Sequence, residues 1–469
     1  MTSILFSDTA DDCHAFGVNL CQFITDSPTA FHAAFLAEEE LGKLGFRILL
    51  ENEAWHSITQ SGGYCVRRGG AFIAWHIPHE TPEAIRIIGT HTDSPAFKVK
   101  PSVTSPAGKH HCHVDVEVYG GMIVNSWLNR ELGLAGLLVD KDGNEHLVNT
   151  VEPMMVIPQL AIHLDRTQND SLQLSRQQHM HPLVADKIVD ADVMSTLAHS
   201  AGINKNDIAG MEIYSYDAQG PRRFGAGKTL LASGRQDNLL SVYSALCAMA
   251  TMVSTFPSAN AMRGETTHTT STNEVKHTQQ EGQAIPASTG SSIPTITMII
   301  GFDHEEVGSQ TRYGAAGPFL DSILMRLRTA FGWNDDDYQR LLSRSSCLST
   351  DVVHAVNPNY QDKHDPSMHP FLGGGPAVKV NANQRYSTDA YGLHLWNRAC
   401  QRANITSQHF VSHNDVTCGS TIAPMVATRY GITTIDAGAP LWSMHSAREI
   451  SQISDSLLMS RLMKAYLIS

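Results

Sequence analysis

The stretch GFDHEEVGSQT, residues 301–311, follows a mostly apolar run, Ile296–Ile300. The run reads as a buried strand. Glu305 and Glu306 then stand side by side at its carboxyl end. Two adjacent carboxylates repel, and burying either one is costly without compensation. A metal ion, or a proton in catalytic use, would compensate.

Working outward, strands and helices alternate. Ala71–His76 and Ala84–Gly89 read as strands, the second ending in THTDSP. Leu239–Met252 reads as a long apolar-faced helix, Phe319–Phe331 and Ala390–Ala403 as helices, and Ile432–Asp436 as a strand. Ile450–Leu467 reads as a closing helix. Near the start, Ser27-Pro28 has the signature of an N-cap and first turn, with Phe31, Phe35 and Leu36 on one face. Such alternation implies an α/β fold: a mixed, mostly parallel sheet sandwiched by helices. Between Lys98 and Gly227 the character changes to short alternating runs and turn signals such as Gly120-Gly121 and Asp142-Gly143, a β-rich insertion. The expected organisation is a catalytic domain in two parts, 1–97 and 230–469, around a β-rich module at 98–229. Residues 258–292 are rich in Thr, Ser, Gln, Glu and Gly, which reads as a flexible polar surface loop rather than a partner-binding one.

The chain has 469 residues, 17% charged and 42% hydrophobic, which suits a globular protein of one large or two ordinary domains. A net charge of −12 argues against nucleic acid or anionic membrane as the main partner. No apolar stretch approaches a bilayer span. The start, MTSILFSDTADDCHAF, has neither a basic n-region nor a long apolar core. Eight Cys without a C-x-x-C pair read as free thiols in a reducing, cytoplasmic setting.

In open α/β sheets, ligands bind outside the carboxyl ends of strands. The residues there are His91 and Asp93, then Glu305 and Glu306, Asp351 in LSTDVVHAV, and His445 in PLWSMHSARE; Asp237 precedes the long helix. Imidazoles and carboxylates at one sheet edge form a ligand set suited to zinc, with manganese or cobalt possible. Taken singly, each has a plainer reading: His91 as a core or surface histidine, the Glu pair as a solvated helix face, Asp237 as an N-cap. Their order at successive strand ends carries the specificity. A competing cluster, His110-His111-Cys112-His113-x-Asp115, places His111, His113 and Asp115 on one strand face, and reads as an exposed face or subunit contact more readily than as a metal site.

The motifs THTDSP, RQDNL, HEEVGS, STDxxHAV, CGST and MHSxRE, in this order, resemble the aspartyl aminopeptidase family, a branch of the two-zinc aminopeptidases. The resemblance spans essentially the whole chain apart from 258–292. It implies removal of N-terminal Asp or Glu from peptides, two Zn2+ per subunit, an inserted dimerisation domain and a homododecamer. It assigns His91 and Asp351 to one zinc, Glu306 and His445 to the other, and Asp237 to both. Asp93 would hydrogen-bond His91 and fix its tautomer, and Glu305 would be the general base. The peptide bond Asp237–Asn238 would be cis.

For the substrate, Lys379 would meet the acidic side chain, with His354 and Arg385 as further candidates. His163 would reach a neighbouring subunit's site, unless it is a buried structural histidine. Two departures stand out. Asn357 occupies a position where the family often has His, and Ala423 one where it has Gly. Two other readings remain open: a related di-metal aminopeptidase or deacylase with neutral preference, and a non-catalytic scaffold of the same fold.

Overall fold

The computed structural model describes residues 3–5, 12–185, 192–255 and 293–469. Its central sheet runs, in spatial order, Arg47–Ile48, Gly62–Arg68, Ala71–Ile77, Thr295–Phe302, Ala84–His91, Ser346–Thr350, Thr433–Gly438, Ala377–Val380 and Gln408–Val411. The four strands Thr295–Phe302, Ala84–His91, Ser346–Thr350 and Thr433–Gly438 are mutually parallel, and antiparallel strands flank them on either side. This is the mixed, mostly parallel sheet expected.

Alternate residues of these strands feed two cores. Ile88, Ile299, Leu348 and Ile435 face one, with Phe16, Leu20, Leu246 and Met463 from covering helices. Ile87, Met298, Ile300 and Cys347 face the other, under Phe319, Ile323 and Val426. Thr295–Phe302 and Ala84–His91, buried on both faces, are mostly apolar runs, whereas Ser346–Thr350 and Thr433–Gly438 carry buried polar residues that pair with each other, Ser349 donating to Asp436 at 3.1 Å. The helix Gln236–Ser254 is buried from Gln236 through Met252, on all sides rather than on one face.

Several helices differ from expectation. Ser27 does not cap the second helix. It ends a first helix, Cys13–Asp26, and the second runs Ala30–Lys43, where Phe31 is buried but Phe35 is exposed. Glu449–Gln452 is a strand, so the last helix is Ile453–Leu467. The short helices Asp335–Ser343 and Ala423–Tyr430 have no counterpart in the sequence reading.

A second sheet of seven strands extends from Ala96–Ala107 to Ile208–Asp217 around its own core of Phe97, Val114, Leu134 and Ile213. Arg222–Phe224 leaves it and joins a small sheet with Leu230–Ser233 and Glu449–Gln452. The polar loop expected at 258–292 lies outside the described residues. Among the described residues, no helix is long and apolar enough to cross a membrane.

Candidate active site

The parallel strands deliver their carboxyl ends to one edge. His91 is the last residue of its strand and lies in register with Phe302, three residues before Glu305. Asp351 follows Thr350 at the next strand's end, and its N–H is bonded to Ala437 O at 3.0 Å. After Phe302 the chain passes through His304 at φ +64, makes one tight turn over Glu305–Val307, and leaves through Gly308 at φ +95. Both are left-handed positions, costly for most residues and free for glycine. Asp237 opens the buried helix, and the bond Asp237–Asn238 is cis. His445 sits at φ +66 in the turn before the strand Glu449–Gln452.

These turns bring the side chains together. Ligand atoms of His91, Asp237 and Asp351 lie within 4.8 Å of one another, as do those of Asp237, Glu306 and His445, and those of His91, Glu305 and Glu306. His91 Nε2 is 3.2 Å from Asp237 Oδ1 and 3.7 Å from Asp351 Oδ1. His445 Nε2 is 3.2 Å from Asp237 Oδ2 and 3.3 Å from Glu306 Oε2. Asp237 thus faces both imidazoles, one with each oxygen.

The hydrogens on the two rings follow from their other nitrogens. His91 Nδ1 is 3.0 Å from Asp93 O, and His445 Nδ1 is 3.0 Å from Gly121 O. A carbonyl only accepts, so each Nδ1 carries the hydrogen. Each neutral ring therefore points an Nε2 lone pair at carboxylate oxygens. Asp237 Oδ1, Glu306 Oε1 and Asp351 Oδ1 are moreover buried without a hydrogen-bond partner. Converging lone pairs and orphaned carboxylate oxygens fit divalent cations of the zinc type.

Without cations, protons must relieve the same repulsion. Burial pulls His91 down, yet Asp237, Asp351 and Asp93 around it hold it well above its ordinary value. His445 is raised to about 10, with Asp237 and Glu306 overcoming burial. Burial, then Asp237, pushes Glu306 well up. Burial also pushes Glu305 up to about 8, against His91 and together with Asp351, Asp93 and Asp237.

Asp93 meets His91 and the glutamate loop at once. His91 Nδ1 donates to its backbone oxygen, while its carboxylate Oδ1 stands 3.4 Å from that nitrogen. The carboxylate also accepts the N–H groups of Glu305 and Glu306, each at 3.1 Å, and the Tyr119 hydroxyl. It fixes the loop that carries the glutamate pair.

Lys379, 2% exposed, and His354 line the metal cavity together with Tyr386. Lys379 Nζ is 3.5 Å from Asp351 Oδ2 and 5.2 Å from the Tyr386 ring centre. Asn357 is not brought to this cavity. It lines an adjoining one, where its side-chain oxygen accepts from Asn359 N at 3.0 Å and its N–H meets His364 Nε2. Arg385 is exposed. His163 is exposed in the isolated chain. His113 lies beside His181, ring centres 5.6 Å apart, and Asp115 accepts from Ser102 and Ser105. Among the described residues, no group able to hold a metal includes this cluster.

Tyr119, Tyr386 and Glu449 were missed from sequence. Glu449 closes the MHSARE motif and so stood in view; nothing local marks the two tyrosines.

The likeness to known proteins agrees with this geometry. Residues 23–283 and 283–467 match the family profile described as aminopeptidase I zinc metalloprotease (M18). A probable M18 family aminopeptidase 2 of Streptomyces avermitilis is 40% identical over 457 residues, 96% of each chain. A protein of the same description from Pseudomonas entomophila is 34% identical over 463 residues, covering 96% of this chain and 98% of its own. Among solved structures, a chain in the cryo-EM structure of the Ape4 and Nbr1 complex superposes with a TM-score of 0.85 at 29% identity, covering 99% of this chain and 87% of that one. A whole-length family match, joined to strand ends that gather imidazoles and orphaned carboxylates, places the chain in the M18 family of zinc metallo-aminopeptidases.

Proposed function

We propose that this aminopeptidase binds two Zn2+ and removes N-terminal Asp or Glu from peptides. His91, Asp237 and Asp351 would hold one ion, and Asp237, Glu306 and His445 the other, with Mn2+ or Co2+ as substitutes. Bound there, the ions supply Lewis acidity, polarising the scissile carbonyl and making water more acidic. Glu305 would lie outside these two ligand sets and take the proton from the attacking water. It then returns that proton to the departing amine.

The observation that carries the acidic preference is the Lys379 ammonium, buried in the wall of the metal cavity. Its partner Asp351 is also a ligand candidate. Once a cation takes up the charge of Asp351, Lys379 keeps only the through-space pull of Asp436, whose oxygens are taken by Ser349, Ser387 and Thr421, and a substrate carboxylate would pair with it directly. The 3.5 Å contact with Asp351 also favours a second reading, in which the lysine is already satisfied and neutral residues are preferred. Rates on Asp-, Glu-, Leu- and N-acetyl-Asp-anilides, with and without chelator, separate the two. Faster Leu hydrolysis supports neutral preference, and cleavage of the acetylated substrate a deacylase. Activity that survives chelation removes the metal from the mechanism.

We also propose a homo-oligomer built from dimers, up to a dodecamer, with the 98–229 module as the dimer contact. Val151, Leu160, Ile162, Leu164 and Leu172 are exposed there, around His163. Apolar side chains gathered on a surface mark contact regions. His163 would then reach a neighbour's substrate. Sedimentation of wild type and Leu164→Asp tests this, since a monomeric wild type ends the proposal. All eight cysteines are free, which supports a cytoplasmic location.

A further inference from the structure

Glu449 is 2% exposed on the strand Glu449–Gln452. Its Oε2 accepts the Asp237 N–H at 3.1 Å, and its Oε1 accepts the His445 N–H at 2.8 Å. Both carboxylate oxygens are thus spent on the backbone of two residues whose side chains meet in one ligand group. Asp93 grips Glu305 and Glu306 in the same manner.

The strand is itself anchored beside Asp237. Glu449 pairs with Ser233, its carbonyl accepts from Gln236 Nε2 at 2.7 Å, and Gln236 Oε1 accepts from the Ser451 hydroxyl at 2.5 Å. Gln236 immediately precedes Asp237, so the ligand is tied to this strand through both its neighbour and its own N–H.

Two convergent N–H donors require two acceptors. A carboxylate supplies them; an amide has one acceptor oxygen and turns a donor toward the other N–H. The donors here are neutral, and Arg448, next in sequence, turns instead to Asp217. Glu449 is thus held by two neutral backbone donors, while the buried Arg235 guanidinium acts on it only through space.

We propose that Glu449 is a positioning residue of the metal centre. By accepting both backbone N–H groups it locks Asp237 to His445 and so holds two ligand side chains at a fixed separation. This rests on the two-metal reading above.

The test is cobalt binding by full-length E449Q, measured by chelator competition and by the visible absorption of the bound cobalt. The expected result is affinity weaker by about 10–100-fold, with shifted cobalt bands. E449D keeps both acceptors on a shorter stem and should recover part of the loss. Affinity within about twofold of wild type, with unchanged bands, overturns the proposal, even if the metal-free variant melts earlier. If E449Q does not fold, E449D decides: weakened cobalt binding supports the role, and wild-type binding overturns it. Fewer than two ions per wild-type chain would instead defeat the two-metal reading, and that is read before any variant.

Discussion

Tyr119, at the end of a strand in the second sheet, donates its hydroxyl to Asp93 Oδ2 at 2.6 Å. The same oxygen accepts the Glu306 N–H, so this carboxylate ties the second sheet by hydrogen bonds to the loop that carries Glu305 and Glu306. Tyr119→Phe keeps the ring against Tyr214 and removes only the donor. A hydrogen bond to a charged group contributes about 1.5–3 kcal/mol. The variant should lose stability of that order in urea, and kcat should fall several-fold with KM little changed. Wild-type values for both would mean that the two sheets are not coupled here.

Glu305→Gln removes a proton acceptor without removing a ligand atom from the Asp237 groups. Metal content and substrate affinity should persist while turnover drops by about a hundredfold or more, the scale of general-base loss. Stopped-flow turnover alongside metal analysis checks it. Near-normal kcat would assign the base elsewhere.

Lys379→Met keeps the length of the side chain and deletes its charge. If Lys379 meets the substrate carboxylate, kcat/KM for Asp-anilide should fall by orders of magnitude and Leu-anilide be spared or improved. An equal fall on both would mean that Lys379 acts by holding Asp351. No change on either would move the preference to His354 or Arg385.

Asp455 is buried, and its carboxylate accepts the N–H groups of Gly373 at 2.7 Å and Gly375 at 3.0 Å. Burial pushes it up to about 6 from 3.8, against those two donors. The folded chain therefore binds a proton between these values that the unfolded chain does not. The resulting stability is present below about pH 4 and lost as pH rises through about 6. Asp455→Asn abolishes this dependence. The stability difference, wild type minus variant, should be larger at about pH 4.5 than at about pH 8, by about 1–3 kcal/mol in urea unfolding. A difference independent of pH would show that Asp455 titrates normally.

Strand ends were legible because a strand buried on both faces is an unbroken apolar run. Ile296–Ile300 and Ala84–Gly89 could be read that way, and parallel pairing then sends His91 and the Glu305-Glu306 pair to the same edge. The closing helix was read three residues too long because Ile450 continues its apolar pattern, while pairing with Ala232 and Trp442 makes that residue part of a strand. Ser27-Pro28 carries a cap signature, yet Ser27 is buried at the end of the preceding helix, where packing overrides local preference.

The amino-acid sequence by itself determined the layers of the fold and which residue types stand at the sheet's carboxyl edge, since both follow from local periodicity and the rule of parallel strands. Only the tertiary structure decided what holds those residues. Glu449 reaches Asp237 across 212 positions, Asp93 reaches Glu305 across 212, and Asn357 is turned out of the metal cavity by hydrogen bonds of its own loop. Hydrogen bonds over such separations leave no local pattern, because either partner could satisfy its chemistry elsewhere until the chain is packed.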